Sequence, residues 1–313
     1  MRTTLLWMAR NPWLREHLPR LGFVRRAVRR FMPGEDRESA FGAAAGLAAS
    51  GQGILFTRLG ENLAALPEAD EVATHYRALL DREVSLPREP ELSVKPTQLG
   101  LDIDAEACFR HLDGLAARTA EAGTWLWLDM EGSTYVDATL DLYERLRAAA
   151  HANVGICLQA YLKRTPKDLR RLLPLEPAVR LVKGAYDEPS AIAYRRRPEV
   201  DAAYQALALV LAEAARDGRA RCALGTHDSG LIERIAAFAE SAGVSRGSLE
   251  VHMLYGIRAR ELARLQAAGF PAFTLIAYGA FWYPWYMRRL AERPANVLFA
   301  LRQLLPQQDD ARE

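Results

Sequence analysis

Residues 153–185 read NVGICLQAYLKRTPKDLRRLLPLEPAVRLVKGA, and they hold the unit that decides the fold. Two short apolar, β-branched runs, 153–159 and 179–185, flank a longer amphipathic stretch opened by Thr165 and Pro166. Thr165 suits an N-cap, Pro166 a first helical turn, and Asp168 the acid that favours a helix start. Strand, helix, strand in this order is a parallel βαβ unit, because parallel neighbours need a crossover connection. The same rhythm extends in both directions. Strand-length runs lie at 53–58 (GILFTR), 91–96 (ELSVKP) and 125–130 (WLWLDM), and at 221–226 (RCALGT), 248–254 (SLEVHML) and 272–278 (AFTLIAY). Each is followed by a helix-like segment, and Thr134 with Asp137 forms a capping pair ahead of ATLDLYERL. Eight such units fit a closed α/β barrel, which takes about 250 residues. No GxGxxG turn signals the competing doubly wound sheet. The expected architecture is a (βα)8 barrel over 51–313, preceded by an N-terminal helical segment over 1–50 with an alanine-rich helix from Glu38 to about Ser50.

Composition narrows the function classes. The chain has 313 residues, a net charge of +2 and a sequence pI near 8.4, too mild to argue for nucleic acid. Cys108, Cys157 and Cys222 are scattered without CxxC spacing, which points to reduced thiols with neither a disulfide framework nor a metal site. No apolar run reaches the roughly 18 residues of a membrane span, and no signal-peptide pattern opens the chain, so a cytoplasmic location is expected. Residues 1–33 nevertheless carry Arg2, Arg10, Arg15, Arg20, Arg25, Arg26, Arg29 and Arg30 against Glu16 alone, interleaved with Trp7, Trp13, Leu18, Leu21, Phe23 and Val24. That pattern suits a solvated face packed beside the barrel, or a patch that leans on anionic lipid at the inner membrane face.

In such barrels the C-terminal ends of the strands surround the active site. Those positions hold Glu61, Lys95, Asp129 with Glu131, Gln159, Arg180 with Lys183, Thr226 to Asp228, His252 with Leu254, and Tyr278. Beyond the last strand, Arg288 and Glu292 share a helical face, with Arg289 beside them. Adjacent guanidiniums clamp a planar carboxylate well. Three chemistries use such a ring. A metal hydrolase would recruit the Asp, Glu and His residues, although no HxH or HExxH spacing occurs. A Schiff-base lyase or aldolase would use Lys95 or Lys183. A flavin enzyme would set Arg180 and Lys183 beside a reduced ring, with Gly184 and Ala185 admitting the cofactor. Spacing alone leaves the three open.

The segments SVKPTQLGLD, WLDMEGS, LQAYLKRT, RLVKGAY, GTHD, MLYGIR and YMRRLAERPANV resemble, in order, the motifs of the proline dehydrogenase family, from about residue 52 to 303. The chain is similar to its monofunctional bacterial form. The resemblance implies a distorted (βα)8 TIM-type barrel, bound FAD, and oxidation of L-proline to Δ1-pyrroline-5-carboxylate. It also implies a quinone as electron acceptor, which favours peripheral membrane contact. Residue by residue, it implies that Arg288, Arg289 and Lys95 hold the proline carboxylate, with Asp129 beside Lys95 and Glu292 orienting the arginines. Tyr278 or its neighbours would wall the pocket, and Leu254 would pack on the ring. Gln159, Arg180, Val182, Lys183, Gly184 and Ala185 would meet the isoalloxazine and pyrophosphate; Tyr186, Thr226, His227, Asp228 and His252 would extend that site. Glu61, by position and charge, is a candidate gate that pairs with Arg288. Leu275 and Ala277 stand where the family pattern has a tyrosine and a proline in the strand-eight segment, His252 where glutamine is usual, and Pro96 where leucine is.

Overall fold

The computed structural model describes residues 11–18, 28–60, 63–81, 86–283 and 286–287. Eight parallel strands close in sequence order into a barrel: β1 (Gly53–Arg58), β2 (Glu91–Val94), β3 (Leu126–Leu128), β4 (Val154–Gln159), β5 (Ala178–Val182), β6 (Arg221–Gly225), β7 (Leu249–Leu254) and β8 (Ala272–Tyr278). The expected α/β barrel is therefore the observed one, and all eight runs read from the sequence are its strands. Helices α1 (Pro12–His17) and α2 (Arg37–Ala49) precede β1. Around the wall follow α3 (Leu66–Leu80), α4 (Ala105–Glu121), α5 (Val136–Ala148), α6 (Thr165–Leu172), α7 (Arg197–Arg216), α8 (Ser229–Ser241) and α9 (Ala259–Ala267).

Alternation along each strand separates two cores. Outward residues such as Phe56, Leu92, Ile156, Leu158, Leu181 and Leu224 join the helices in one large apolar layer. Inward residues Leu55, Trp127, Ala178, Ala223 and Phe273 fill the axis, with Trp125 and Leu275 packed against them. The axial filling alternates large with small. A Cβ on Gly155 of β4 would lie 2.5 Å from the Trp127 ring, so only glycine leaves room for that indole.

The barrel is distorted at its seam. In a regular (βα)8 barrel a helix after β8 covers the join with β1. Here α2, which precedes β1, packs on both β1 and β8. It does so through a face of small residues, Ala40, Ala44 and Ala48, with Phe41 edge-on to Phe56 at 4.8 Å between ring centroids. The chain after β8 is helical at 282–283 and 286–287. There Trp282, Tyr283, Tyr286 and Met287 build a second cluster with Val28, Phe31, Met32, Leu59 and Ala277, against which Leu14, Leu18 and Leu254 pack.

Two capping expectations are corrected. Thr165 begins α6 but spends its hydroxyl on the Gln159 carbonyl at 2.6 Å, because the turn before the helix brings that oxygen close. Thr134 lies within a 3₁₀ turn, Ser133–Tyr135, and the helix after it has no side-chain cap.

Candidate active site

Lys95 follows β2 and Asp129 follows β3, which puts them on neighbouring strands at the C-terminal end of the barrel. Lys95 Nζ donates to Asp129 Oδ2 at 3.2 Å. Asp129 Oδ1 accepts from Ser93 Oγ at 2.8 Å and from Arg180 Nη2, whose side chain crosses the axis from β5. Arg180 is 4% exposed and also donates to Ser93 Oγ at 2.6 Å and, through Nε, to Cys157 Sγ at 2.9 Å. Its guanidinium lies 5.2 Å from the Trp127 ring centroid. Burial alone would raise the Asp129 carboxyl, but Lys95 and then Arg180 outweigh it and hold the pKa below the ordinary carboxylate value. Burial likewise works against the Lys95 ammonium, and Asp129 reverses that, leaving the lysine above its usual range. A charged, paired amine is a poor Schiff-base nucleophile.

Gln159 ends β4, and its amide donates to the carbonyls of Met130 and Glu131 at 3.1 and 3.2 Å. Val182 ends β5. Beyond it Lys183 turns away to Asp201 and Asp228, the latter at 2.9 Å, so its charge is matched by two carboxylates. Arg197 joins this group by donating to Asp228 at 2.9 Å. Asp228 caps α8 through Leu231 N, and its backbone N–H reaches Thr226 Oγ1 at 3.2 Å. The His227 carbonyl accepts from Arg258. Gly184 has φ +108°, and a Cβ there would lie 2.1 Å from the Tyr161 ring, so the chain entering Ala185 and Tyr186 requires glycine. His252 lies on the inner face of β7, and Leu254 ends that strand half-buried.

Tyr278 stands apart from this ring. It is fully buried on the outer face of the wall, where it packs edge-on to Phe56 and bonds His75 Nε2 at 2.7 Å. Strand alternation explains this, since Leu275 and Ala277 take the inner face of β8. Glu131 is also elsewhere: it accepts from Thr97 N and Oγ1 at 3.1 and 2.7 Å and is 6% exposed. Glu61, Arg288, Arg289 and Glu292 lie outside the described residues. Ser93, Trp127, Cys157, Arg221 and Glu250 were not among the expected site residues. The signal for Ser93 was available, since it sits two residues before Lys95 and shares its face.

Among the described residues no group of three or more His, Cys, Asp or Glu side chains is arranged to hold a metal ion. No described helix is long and apolar enough to cross a membrane. The inner surface suits a planar, hydrogen-bonding cofactor better. Gln159 Oε1, Arg180 Nη1 and His252 Nδ1 are buried without partners at the ends or inner faces of β4, β5 and β7. A flavin ring, with its carbonyls, ring nitrogens and imide N–H, offers the matching donors and acceptors.

A proline dehydrogenase family model matches residues 42–302. Proline dehydrogenase 1 of Bacillus subtilis (strain 168) is 30% identical over 305 residues, covering 97% of this chain and 99% of the relative. The proline dehydrogenase of Deinococcus radiodurans is 32% identical over 280 residues, 88% of this chain and 89% of the relative. Among solved structures, proline utilization A from Bdellovibrio bacteriovorus, inactivated by N-propargylglycine, superposes with a TM-score of 0.80 at 22% identity. The match covers 93% of this chain and 36% of that larger one, and it supports the fold.

Proposed function

The chain belongs to the proline dehydrogenase family, whose members are oxidoreductases acting on proline, and on that premise we propose how its own residues serve the reaction. The reading is that the enzyme binds FAD and oxidises L-proline to Δ1-pyrroline-5-carboxylate. The electrons then pass to a quinone from a cytoplasmic position at the inner membrane face. Proline loses a hydride from C5 and a proton from nitrogen as the C=N bond forms. FAD, when bound, supplies the two-electron acceptor for that hydride.

The protein's contribution is positioning and charge. Lys95, kept as an ammonium by Asp129, holds the substrate carboxylate together with Arg288 and Arg289, and Glu292 orients that pair. Each charge-assisted hydrogen bond contributes about 1.5–3 kcal/mol. Gln159 and Arg180 offer the ring an acceptor and a cationic donor, and a fixed guanidinium favours the electron-rich form of a bound ring. Leu254 packs beside the substrate, while Val182, Gly184, Ala185 and Tyr186 give the cofactor a close backbone approach. Lys183, Thr226, His227 and Asp228 line its extension, and Glu61 closes over the substrate by pairing with Arg288.

The single observation that carries the reading is the Lys95–Asp129–Arg180 chain of contacts inside the barrel of a member of this family. The test is the visible spectrum of the purified protein before and after L-proline is added without oxygen. A flavin spectrum that bleaches is the expected result. A protein that stays colourless after incubation with FAD would overturn the reading.

A further inference from the structure

A second charged group lies along the barrel axis, nearer the N-terminal end than the first. Glu91 opens β2 at 1% exposure, and Arg221 opens β6. Arg221 Nη2 donates to Glu91 Oε1 at 2.7 Å and to Glu250 Oε2 at 2.9 Å, while its Nε reaches both Glu250 oxygens at 2.9 and 3.1 Å. Trp127 Nε1 donates to Glu91 Oε2 at 2.6 Å. Glu250 is held as a carboxylate by the Arg221 guanidinium, which meets both of its oxygens, against the cost of burial.

His252 follows Glu250 by two residues on the same inner face, and its side chain is 2% exposed. The ring stacks on Phe273 with centroids 4.7 Å apart and stands edge-on to Trp127. Its Nε2 lies 3.0 Å from Glu250 Oε2. An ionised carboxylate only accepts, so Nε2 carries the hydrogen. Nδ1 is buried and has no partner. A second proton there would leave a buried N–H without an acceptor on a ring that already faces Arg180. The charged groups around this imidazole are Glu250 on its own strand, Arg221 on β6, Arg180 on β5 and Glu91 on β2.

We propose that Glu250 and Arg221 are positioning residues that fix His252 as the neutral Nε2–H tautomer, so that Nδ1 becomes a lone-pair acceptor for an N–H of the ring bound at the barrel mouth. The two nitrogens of an imidazole look to nearly opposite sides. With Nε2 engaged by Glu250, Nδ1 is the nitrogen left for a ligand, on an inner barrel surface that also holds the partnerless Gln159 Oε1 and Arg180 Nη1. The ligand group that fits it is the imide N–H of a heteroaromatic ring. This assignment of the ligand rests on the flavin reading above; the tautomer does not.

The experiment uses the full chain labelled with 15N-histidine, with His252 assigned by its loss in His252→Gln. Long-range 15N–1H correlation spectra of the FAD-free protein at pH 7 should show His252 unprotonated at Nδ1 and protonated at Nε2. In Glu250→Gln the carboxamide can donate as well as accept, and the His252 pattern should become mixed. Titration with FAD should be about tenfold weaker for His252→Leu. His252→Gln should restore affinity to within a few-fold, because an amide also donates at one end and accepts at the other. A proton on Nδ1 of His252, or unchanged FAD affinity in His252→Leu, overturns the proposal. Failure of the wild-type chain to bind FAD, with the tautomer present, overturns the flavin as ligand and leaves the Glu250–Arg221 role in place.

Discussion

Asp129 shows how closely charge is balanced at the level of single residues. It is the common acceptor for Ser93, Lys95 and Arg180, so Asp129→Ala leaves the buried Arg180 and the half-buried Lys95 without their carboxylate. Removing one partner of such a network costs about 3–5 kcal/mol. We expect denaturant unfolding to register a loss of that order, with a smaller one in Asp129→Asn. In Arg288→Met or Arg289→Met the proline KM should rise about tenfold or more while the protein stays yellow; a near-normal KM in both would remove the carboxylate clamp. His75 gives a pH dependence. Burial, then Arg58 and Arg37, lowers its pKa to about 4. An unfolded histidine takes its proton near 6.5, so between these values the unfolded state binds more protons, and stability falls as pH falls from about 6.5 to 4. His75→Gln keeps an acceptor for the Tyr278 hydroxyl and should flatten that slope, by less than about 1.4 kcal/mol per pH unit because the ring is part-exposed. Urea midpoints at pH 7, 5.5 and 4.5 would check it. Lys95 and Asp129 were legible in the sequence because polar residues at the ends of apolar strands announce themselves. Glu91, Arg221 and Glu250 were not, because their partners are as much as 130 residues apart and meet only when the barrel closes.

At the scale of elements, β-strands were legible from short apolar runs, and all eight appear. What the pattern did not reveal is the helix that covers the seam. Ala40, Ala44 and Ala48 read as a generic helix former, and only the packed structure shows them as the small face that lets α2 settle on β1 and β8. Ala44→Leu should overpack that face and cost about 1–3 kcal/mol, read as a lower melting temperature with little change in KM. Ala44 is fully buried, so an unchanged melting temperature would mean that the helix can shift outwards. The Tyr278 expectation failed for a reason of the same scale: the strand ends at Ala277 and Tyr278 were both near the mouth, but a period of two sends one in and the other out.

For the whole molecule, the charge of the N-terminal segment carries a prediction about where it works. The lipid contact proposed above rests on the basic residues before Pro33, among which Trp13 is 62% exposed. Replacing Arg25, Arg26, Arg29 and Arg30 by Gln should abolish co-sedimentation with anionic vesicles, leaving proline-dependent dye reduction within about twofold. Retained sedimentation would place the contact elsewhere. The closure of the barrel also has a consequence in time. β1 pairs with β8 along its full length, and Gln52 accepts from the Thr274 hydroxyl 222 residues away. At about 5–20 residues per second, a ribosome needs on the order of 10–40 seconds to deliver β8 after β1 has emerged. For that interval the edge of β1 that will meet β8, and the part of the small-residue face of α2 that will lie on β8, wait for their partner, so each newborn molecule passes through a sticky adolescence that anything shielding that seam during synthesis shortens.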